Sequence, residues 1–272
     1  MKLHIQHLTR YDYSAPLQYA LQSLCLTPGD SAHQTVHAWS VQAPGTLFAA
    51  RDAYGNAAHT CSVTKRMMAG LVHAHGTVET HGQPELLDGA APAQLYLRPT
   101  PLTEPHARLA ALGDGLPGSG VDAARALALA KAVLARVPYA PRTTTVHTTA
   151  MEALALGGGV CQDHAHVYIA ACRAHGVPAR YVSGYFHAPG ADHLASHAWV
   201  DVCVDVPAHR WLSVDVTHGC LIDERHVRLA VGPDYAACSP IRGVREGGGA
   251  ESMRVRIDIR EDSNETAFPL EP

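Results

Sequence analysis

Cys161 follows three consecutive glycines, Gly157-Gly158-Gly159, and opens a stretch whose apolar residues recur at helical spacing. A thiol at a helix start meets unpaired backbone N–H groups and the positive end of the helix dipole, both of which favour the thiolate. Glycines also let a carbonyl approach the backbone closely, so the same amides could receive the oxyanion of a tetrahedral intermediate. Cysteines are more often small buried hydrophobes, and a nucleophile needs a base as well. The best source is Ser196-His197-Ala198-Trp199-Val200-Asp201, which reads as a strand with His197, Trp199 and Asp201 on one face. Trp211, Ser213, Asp215 and Thr217 share a face of the following strand, joined through Val206-Pro207-Ala208. That loop pairs Asp205 with His209 and sets His197 opposite Thr217. Asp215 is then a diagonal neighbour of His197, roughly 7–8 Å away between backbones. In this arrangement Asp215 orients His197, and His197 holds Cys161 as thiolate and later protonates a leaving amine. A strand His and a strand Asp are more often independent surface groups, so their pairing is the expectation to test.

The elements that must bring these residues together are legible in outline. Lys2 to Tyr13, Leu17 to Leu26, Gln34 to Val41 and Ala57 to Lys65 carry strand signals, with a turn at Tyr54-Gly55-Asn56. They predict an N-terminal antiparallel β domain over residues 1–85. Between about Thr77 and Thr100 Gly, Pro, Ala and Gln dominate without periodicity, which marks a connection. A helix is expected from about Thr103-Glu104-Pro105 to Gly113, and another from Val121 to Arg136. Thr149-Ala150-Met151-Glu152 has the form of a capping box, and Gly157 can close that helix in the left-handed conformation. From Cys161 to His175, Ala165, Tyr168, Ile169 and Cys172 lie on one helical stripe, and Gly176 and Pro178 stop the helix. Strands follow at Ala179 to Tyr185, Ser196 to Asp205, Arg210 to Val216 and Arg254 to Ile259. Helices followed by antiparallel strands make an α+β core over residues 86–272, with the C-terminal strands included.

Three segments together resemble the transglutaminase-like superfamily: Gly159-Val160-Cys161-Gln162-Asp163-His164-Ala165-His166, then Gly176 to Tyr185 (Gly-Val-Pro-Ala-Arg-Tyr-Val-Ser-Gly-Tyr), then Ser196-His197-Ala198-Trp199-Val200. The resemblance implies a papain-like core with a catalytic triad falling on Cys161, His197 and Asp215. Tyr11-Asp12-Tyr13, Leu26-Thr27-Pro28 and Asp52-Ala53-Tyr54-Gly55-Asn56 are similar to the β domain that precedes this core in bacterial members. Bacterial relatives usually show Asp-Pro-Thr where this chain has Asp215-Val216-Thr217, and Gly-Arg-Asp-Tyr where it has Gly232-Pro233-Asp234-Tyr235. The implied function is thiol-dependent acyl transfer that cleaves a peptide, isopeptide or related amide through a Cys thioester. Members of the superfamily divide among peptidases, amine-transferring crosslinkers, amidases and inactive relatives, so amine transfer is the alternative.

Composition removes several other classes. With 47% hydrophobic and 17% charged residues and a formal charge of -4, the chain has no polyelectrolyte character, and its scattered basic residues give no phosphate-binding footprint. Nucleic acid is therefore not an expected partner; a peptide or protein amide is. Polar residues interrupt the first apolar run, and no stretch approaches eighteen apolar residues, so neither a signal peptide nor a membrane span is expected and the location reads as cytoplasmic. Seven cysteines without framework spacing point to reduced thiols rather than a disulfide scaffold. Nineteen histidines raise a metal reading through Cys161, His164, His166, His193, His197 and His218. His166 lies off the face shared by Cys161 and His164, and no paired ligand motif completes a site, so no metal and no cofactor are expected. His164 is the internal rival to His197 as base. Tyr139 and Gln162 are candidate further oxyanion donors, Trp199 and Trp211 read as core, and Asp163 as a first-turn carboxylate favoured by the dipole. A non-catalytic binding module is the remaining alternative.

Overall fold

Leu3, Ile5, His7, Thr9, Tyr11 and Tyr13 are all buried while their neighbours alternate outward, so the first strand obeys the period of two from its second residue. The computed structural model describes residues 1–116, 121–190 and 196–262. Strand β1 (Lys2–Leu24) runs through both segments expected as separate strands. Ser14-Ala15-Pro16 forms a bulge within it, between the pairs Asp12–Ala69 and Leu17–Met67. The outer strands break near the same level. β2 (Gln34–Gln42) and β3 (Thr46–Arg51) lie along β5 (Met67–Thr80) and β4 (Ala57–Val63) respectively, and β4 and β5 together follow β1. Neither β3 nor β5 is among the strands expected, and β5 extends into the segment read as a connection. Gly70 and Gly76 interrupt its alternation; Gly76 is required because a Cβ there would stand 2.1 Å from the Ala38 carbonyl oxygen.

β6 (Glu85–Leu87) crosses to a second sheet, and the helices follow. The helix expected over 103–113 is only one turn, α1 (Ala107–Ala110), capped by His106 and continued as a 3-10 turn to Gly113. α2 (Ala123–Arg136) and α3 (Ala150–Leu156) match their sequence signals. Thr149 and Glu152 make the reciprocal capping box, and Gly157 closes α3 at φ 67°. α4 (Cys161–Ala174) departs from the amphipathic expectation: every residue from Gln162 to Cys172 is buried. It is the central helix, enclosed by α1, α2 and α3 and by the strands β7 (Ala179–Phe186) and β8 (Ser196–Asp205). The second sheet continues through β9 (Arg210–Asp215), β10 (Cys220–Leu221) and β11 (His226–Gly232), in the order β10-β9-β8-β7-β11, all antiparallel. An N-terminal antiparallel β region followed by an α+β core is thus the observed architecture.

After the one-turn α5 (Tyr235–Cys238), the chain does not rejoin the second sheet. β12 (Ile241–Gly247) and β13 (Glu251–Glu261) pair with β1, from Ile241 opposite Leu24 to Glu261 opposite Leu3. The assignment of the C-terminal strands to the core over 86–272 is therefore corrected by the sheet pairing. β1 has a second long edge, and its backbone groups are satisfied only by a returning strand.

The two sheets are joined by polar side chains as well as by apolar contact. Gln34 receives the Arg228 amide at 2.8 Å and donates to the Arg228 carbonyl at 3.0 Å. Asn56, from the Asp-Ala-Tyr-Gly-Asn segment, does the same for Val231 at 2.8 and 2.7 Å. His33 Nε2 donates to the His226 carbonyl at 2.7 Å. The free edge of β11 is thereby capped by the first sheet's side chains. Beneath it, the buried Asp201 carboxylate takes Arg180 at 2.9 Å, Arg228 at 2.7 and 2.9 Å, and the Ser213 hydroxyl at 2.6 Å. Burial opposes its charge, but the two guanidiniums and Ser213 hold its pKa well below the usual range. Asp201→Ala should cost about 3–5 kcal/mol, because Arg180 and Arg228 would lose a buried counter-charge. Urea unfolding of wild type and variant at pH 7 measures the difference.

Candidate active site

The loop before α4 is shaped by close packing. Gly159 donates to the Pro138 carbonyl and accepts from the Ala140 amide, a short parallel bridge beside Tyr139. A Cβ at Gly159 would lie 2.7 Å from that of Asp163, so only glycine fits. The Asp163 carboxylate is buried and accepts from the Val160 amide at 2.8 Å and the Thr144 hydroxyl at 2.7 Å. This first-turn carboxylate is a cap, as its position suggests. These bonds change the expected source of oxyanion donors. The Gly157, Gly159 and Val160 amides are already committed, to Ala153, Pro138 and Asp163 respectively. The amides of Cys161 and Gln162, in the first turn of α4, have no intrahelical acceptor and remain as candidates. The Tyr139 side chain is 59% exposed, and the Gln162 amide reaches the Thr145 carbonyl at 3.5 Å.

His197 and Asp215 meet as the strand register requires. Val200 lies opposite Val214 and Asp201 opposite Ser213, the same register that sets His197 across from Thr217. The turn itself differs by one residue. Asp205 pairs with Arg210, not His209, because a bulge after Cys203 absorbs the slip and His209 turns at φ 50°. His197 Nε2 donates to Asp215 Oδ2 at 2.8 Å. Cys161 lies close enough to the His197 imidazole to interact with it by hydrogen bonding and charge. Burial disfavours the imidazolium, but hydrogen bonds to Asp215 and Cys161 outweigh it and raise the His197 pKa to about 10. Burial likewise opposes ionisation of Asp215; bonds from His197, His218 and His226 reverse this and hold the carboxyl far below its usual range.

Three imidazoles converge on one oxygen: His197 Nε2 at 2.8 Å, His218 Nδ1 at 2.6 Å and His226 Nε2 at 2.9 Å from Asp215 Oδ2. The His218 amide donates to Oδ1 at 3.1 Å. Phe186 packs against all three rings, with centroids 4.5 to 5.3 Å away. His226 escapes the sequence reading. Among nineteen histidines its only local mark is Asp223 three residues earlier, whose carboxylate lies 3.1 Å from its Nδ1.

The rival base is tied down elsewhere. His164 Nε2 donates to the Val137 carbonyl at 2.9 Å, and Nδ1 accepts from the Thr217 hydroxyl at 2.9 Å; burial lowers its pKa. His166 is buried with a pKa pushed down to about 4 by desolvation. His193, part of the metal reading, lies outside the described residues. His197, Asp215 and His226 have ligand atoms within 4.8 Å of one another, a different set from the one the sequence suggested. Trp199 and Trp211 are wholly buried, as core residues are.

The structure thus brings together a cysteine at the start of a central helix and a strand histidine backed by a buried aspartate. The transglutaminase-like superfamily model matches residues 111–216, which include Cys161, His197 and Asp215, and the bacterial transglutaminase-like N-terminal region model matches residues 3–79. The chain belongs to the transglutaminase-like superfamily. It is 30% identical to an uncharacterized protein of Mycobacterium tuberculosis over 96% of this chain and 92% of that one. An uncharacterized protein of Mycobacterium leprae is 29% identical, over 95% and 98% respectively. Among solved structures, a Cytophaga hutchinsonii protein provisionally described as a cysteine protease shares the fold with TM-score 0.74 and 20% identity, over 100% of this chain and 94% of that one. Among the described residues no helix is long and apolar enough to cross a membrane.

The His197 shift has a sign that can be tested. A pKa raised from 6.5 to about 10 gives stability that is fully present below pH 6.5 and is lost as pH climbs through 10. The depressed Asp215 carboxyl contributes above its ordinary 3.8 and is lost only as pH falls below it. His197 should therefore remain an imidazolium at pH 8 in ¹H–¹⁵N spectra, and the excess urea stability of wild type over His197→Gln should shrink between pH 7 and 10.

Proposed function

We propose that this protein is a cysteine-dependent acyl-transfer enzyme that hydrolyses a peptide, isopeptide or related amide. One observation carries the reading: Cys161 at the α4 start interacts with the His197 imidazole, whose Nε2 is fixed, at 2.8 Å, by a buried carboxylate. In the proposed cycle the Cys161 sulfur, having given its proton to His197, attacks the carbonyl carbon. The resulting oxyanion is received by the first-turn amides of α4. His197 then protonates the leaving amine as the C–N bond breaks, and a thioester remains. Water attacks the thioester, giving a proton to His197, and the carboxylic acid leaves as the thiol is restored. Asp215 stays ionised throughout and keeps the ring in one tautomer. The substrate is a peptide or protein amide. The seven cysteines are all unpaired, which suits a reducing compartment, and we place the enzyme in the cytoplasm on that ground.

Hydrolysis is preferred over amine transfer because water is always present and, among the described residues, no side-chain feature marks a dedicated amine pocket. A glutaminyl peptide supplied with a labelled primary amine separates the two: deamidation should dominate, and predominant amine incorporation would reassign the acceptor. EDTA should leave turnover unchanged. Cys161→Ala should abolish carbamidomethylation by iodoacetamide at pH 7, whereas Cys172→Ala should preserve it, since Cys172 is buried and desolvation pushes its thiol pKa up. Asp215→Asn should keep its far-ultraviolet dichroism while kcat falls roughly 10²–10⁴-fold; wild-type turnover there would remove Asp215 from the mechanism.

A further inference from the structure

Asp215 is held by more than the histidine it is proposed to orient. His226 sits at the start of β11 with no solvent exposure, and its Nε2 lies 2.9 Å from Asp215 Oδ2. We infer that His226, backed by Asp223, is a positioning residue for the His197–Asp215 pair, an inference that rests on the roles proposed above for Cys161, His197 and Asp215.

The protonation pattern of this ring is constrained from both sides. Facing an ionised carboxylate, Nε2 must carry a hydrogen and donate it. Nδ1 lies 3.1 Å from the Asp223 backbone nitrogen and 3.1 Å from Asp223 Oδ1. A neutral ring accepts from that amide and a charged ring donates to that carboxylate; in both states Nε2–H still points at Asp215. The ring is also clamped mechanically. Trp199 meets it edge to face at 5.4 Å, and the His226 carbonyl accepts from His33 Nε2 at 2.7 Å. Through that bond the first sheet buttresses the second sheet at the level of the site.

His218 touches the same oxygen, but from the turn directly after β9, with its side chain 43% exposed. His226 comes from a strand on the far edge of the sheet, so it ties two separate elements to one carboxylate oxygen. Such a tie matters during the proposed cycle. When His197 has passed its proton to the leaving amine, its ion-pair attraction to Asp215 weakens, and a buried carboxylate without another fixed donor would be free to rotate. His226 keeps Oδ2 in line so that His197 returns to the same orientation for thioester hydrolysis.

Coordination accounts less well for this cluster. Metal bonds of about 2.0–2.2 Å would set neighbouring ligand atoms roughly 3.3 Å apart. The contacts of 2.6, 2.8 and 2.9 Å, all centred on Oδ2, are hydrogen-bond lengths.

The test compares wild type with His226→Leu, which cannot donate, and His226→Gln, whose side-chain amide can. Two readouts are used: the rate of Cys161 alkylation by iodoacetamide across pH 5–9, and kcat and KM on an amide substrate. His226→Leu should slow alkylation at pH 7 and lower kcat by about 10–100-fold with KM within about twofold, and His226→Gln should recover part of both. A folded His226→Leu alkylated at the wild-type rate with wild-type kcat overturns the inference. Should His226→Leu not fold, His226→Gln and Asp223→Asn carry the test, each expected to slow alkylation about threefold or more. Wild-type rates in both overturn it. If iodoacetamide does not label Cys161 in wild type, the proposed function fails; if it does, but without dependence on position 226, only this inference fails.

Discussion

An ionised carboxylate with no access to water is the constraint around which this molecule is arranged. Asp215 Oδ2 accepts from three imidazoles and Oδ1 from a backbone amide, and those donors outweigh the cost of burying the charge. They come from β8, from the turn after β9, and from β11. The second sheet must therefore close in one register for the oxygen to be satisfied. The Cys161 thiol then meets an imidazole that is already oriented and already biased towards the charged form.

The same face of the sheet repeats this solution one pleat further along. Ser213 and Arg228 stand two residues from Asp215 and His226 on their strands, and with Arg180 they enclose Asp201. Arg180 also lies over the Trp211 ring at 4.2 Å, so the guanidinium is covered by an aromatic face as well as paired. At the edge of this sheet, β11 is met by residues of the first sheet. Side-chain amides of Gln34 and Asn56 and the His33 ring satisfy the backbone edge of β11 there. The N-terminal β region thus has a physical task within the site: it closes the edge of the strand that carries His226 and Arg228.

On the opposite face, α4 is covered all round, so the apolar stripe seen in its sequence is only part of what it buries. A helix enclosed by other helices and by a sheet has no solvent side to mark with charges. His164 and His166 occupy positions where a surface helix would carry ordinary polar residues. Here His164 is spent on holding the Val137 carbonyl and the Thr217 hydroxyl, which ties α4 to the turn beside Asp215.

The amino-acid sequence determined whatever depends on near neighbours. The Thr149–Glu152 cap, the left-handed Gly157, the Cys161 helix start and the alternation that puts His197 and Asp215 on one face are local properties of φ, ψ and side-chain period. The register near the site was legible for the same reason, even though the hairpin turn slipped by one residue at His209. Tertiary structure alone decided the return of residues 241–261 to β1, the enclosure of α4, the commitment of the loop amides, and the meeting of His226 with Asp215. Each of these depends on which edge or face was left unsatisfied after the rest of the chain had packed, and no short stretch of sequence contains that information.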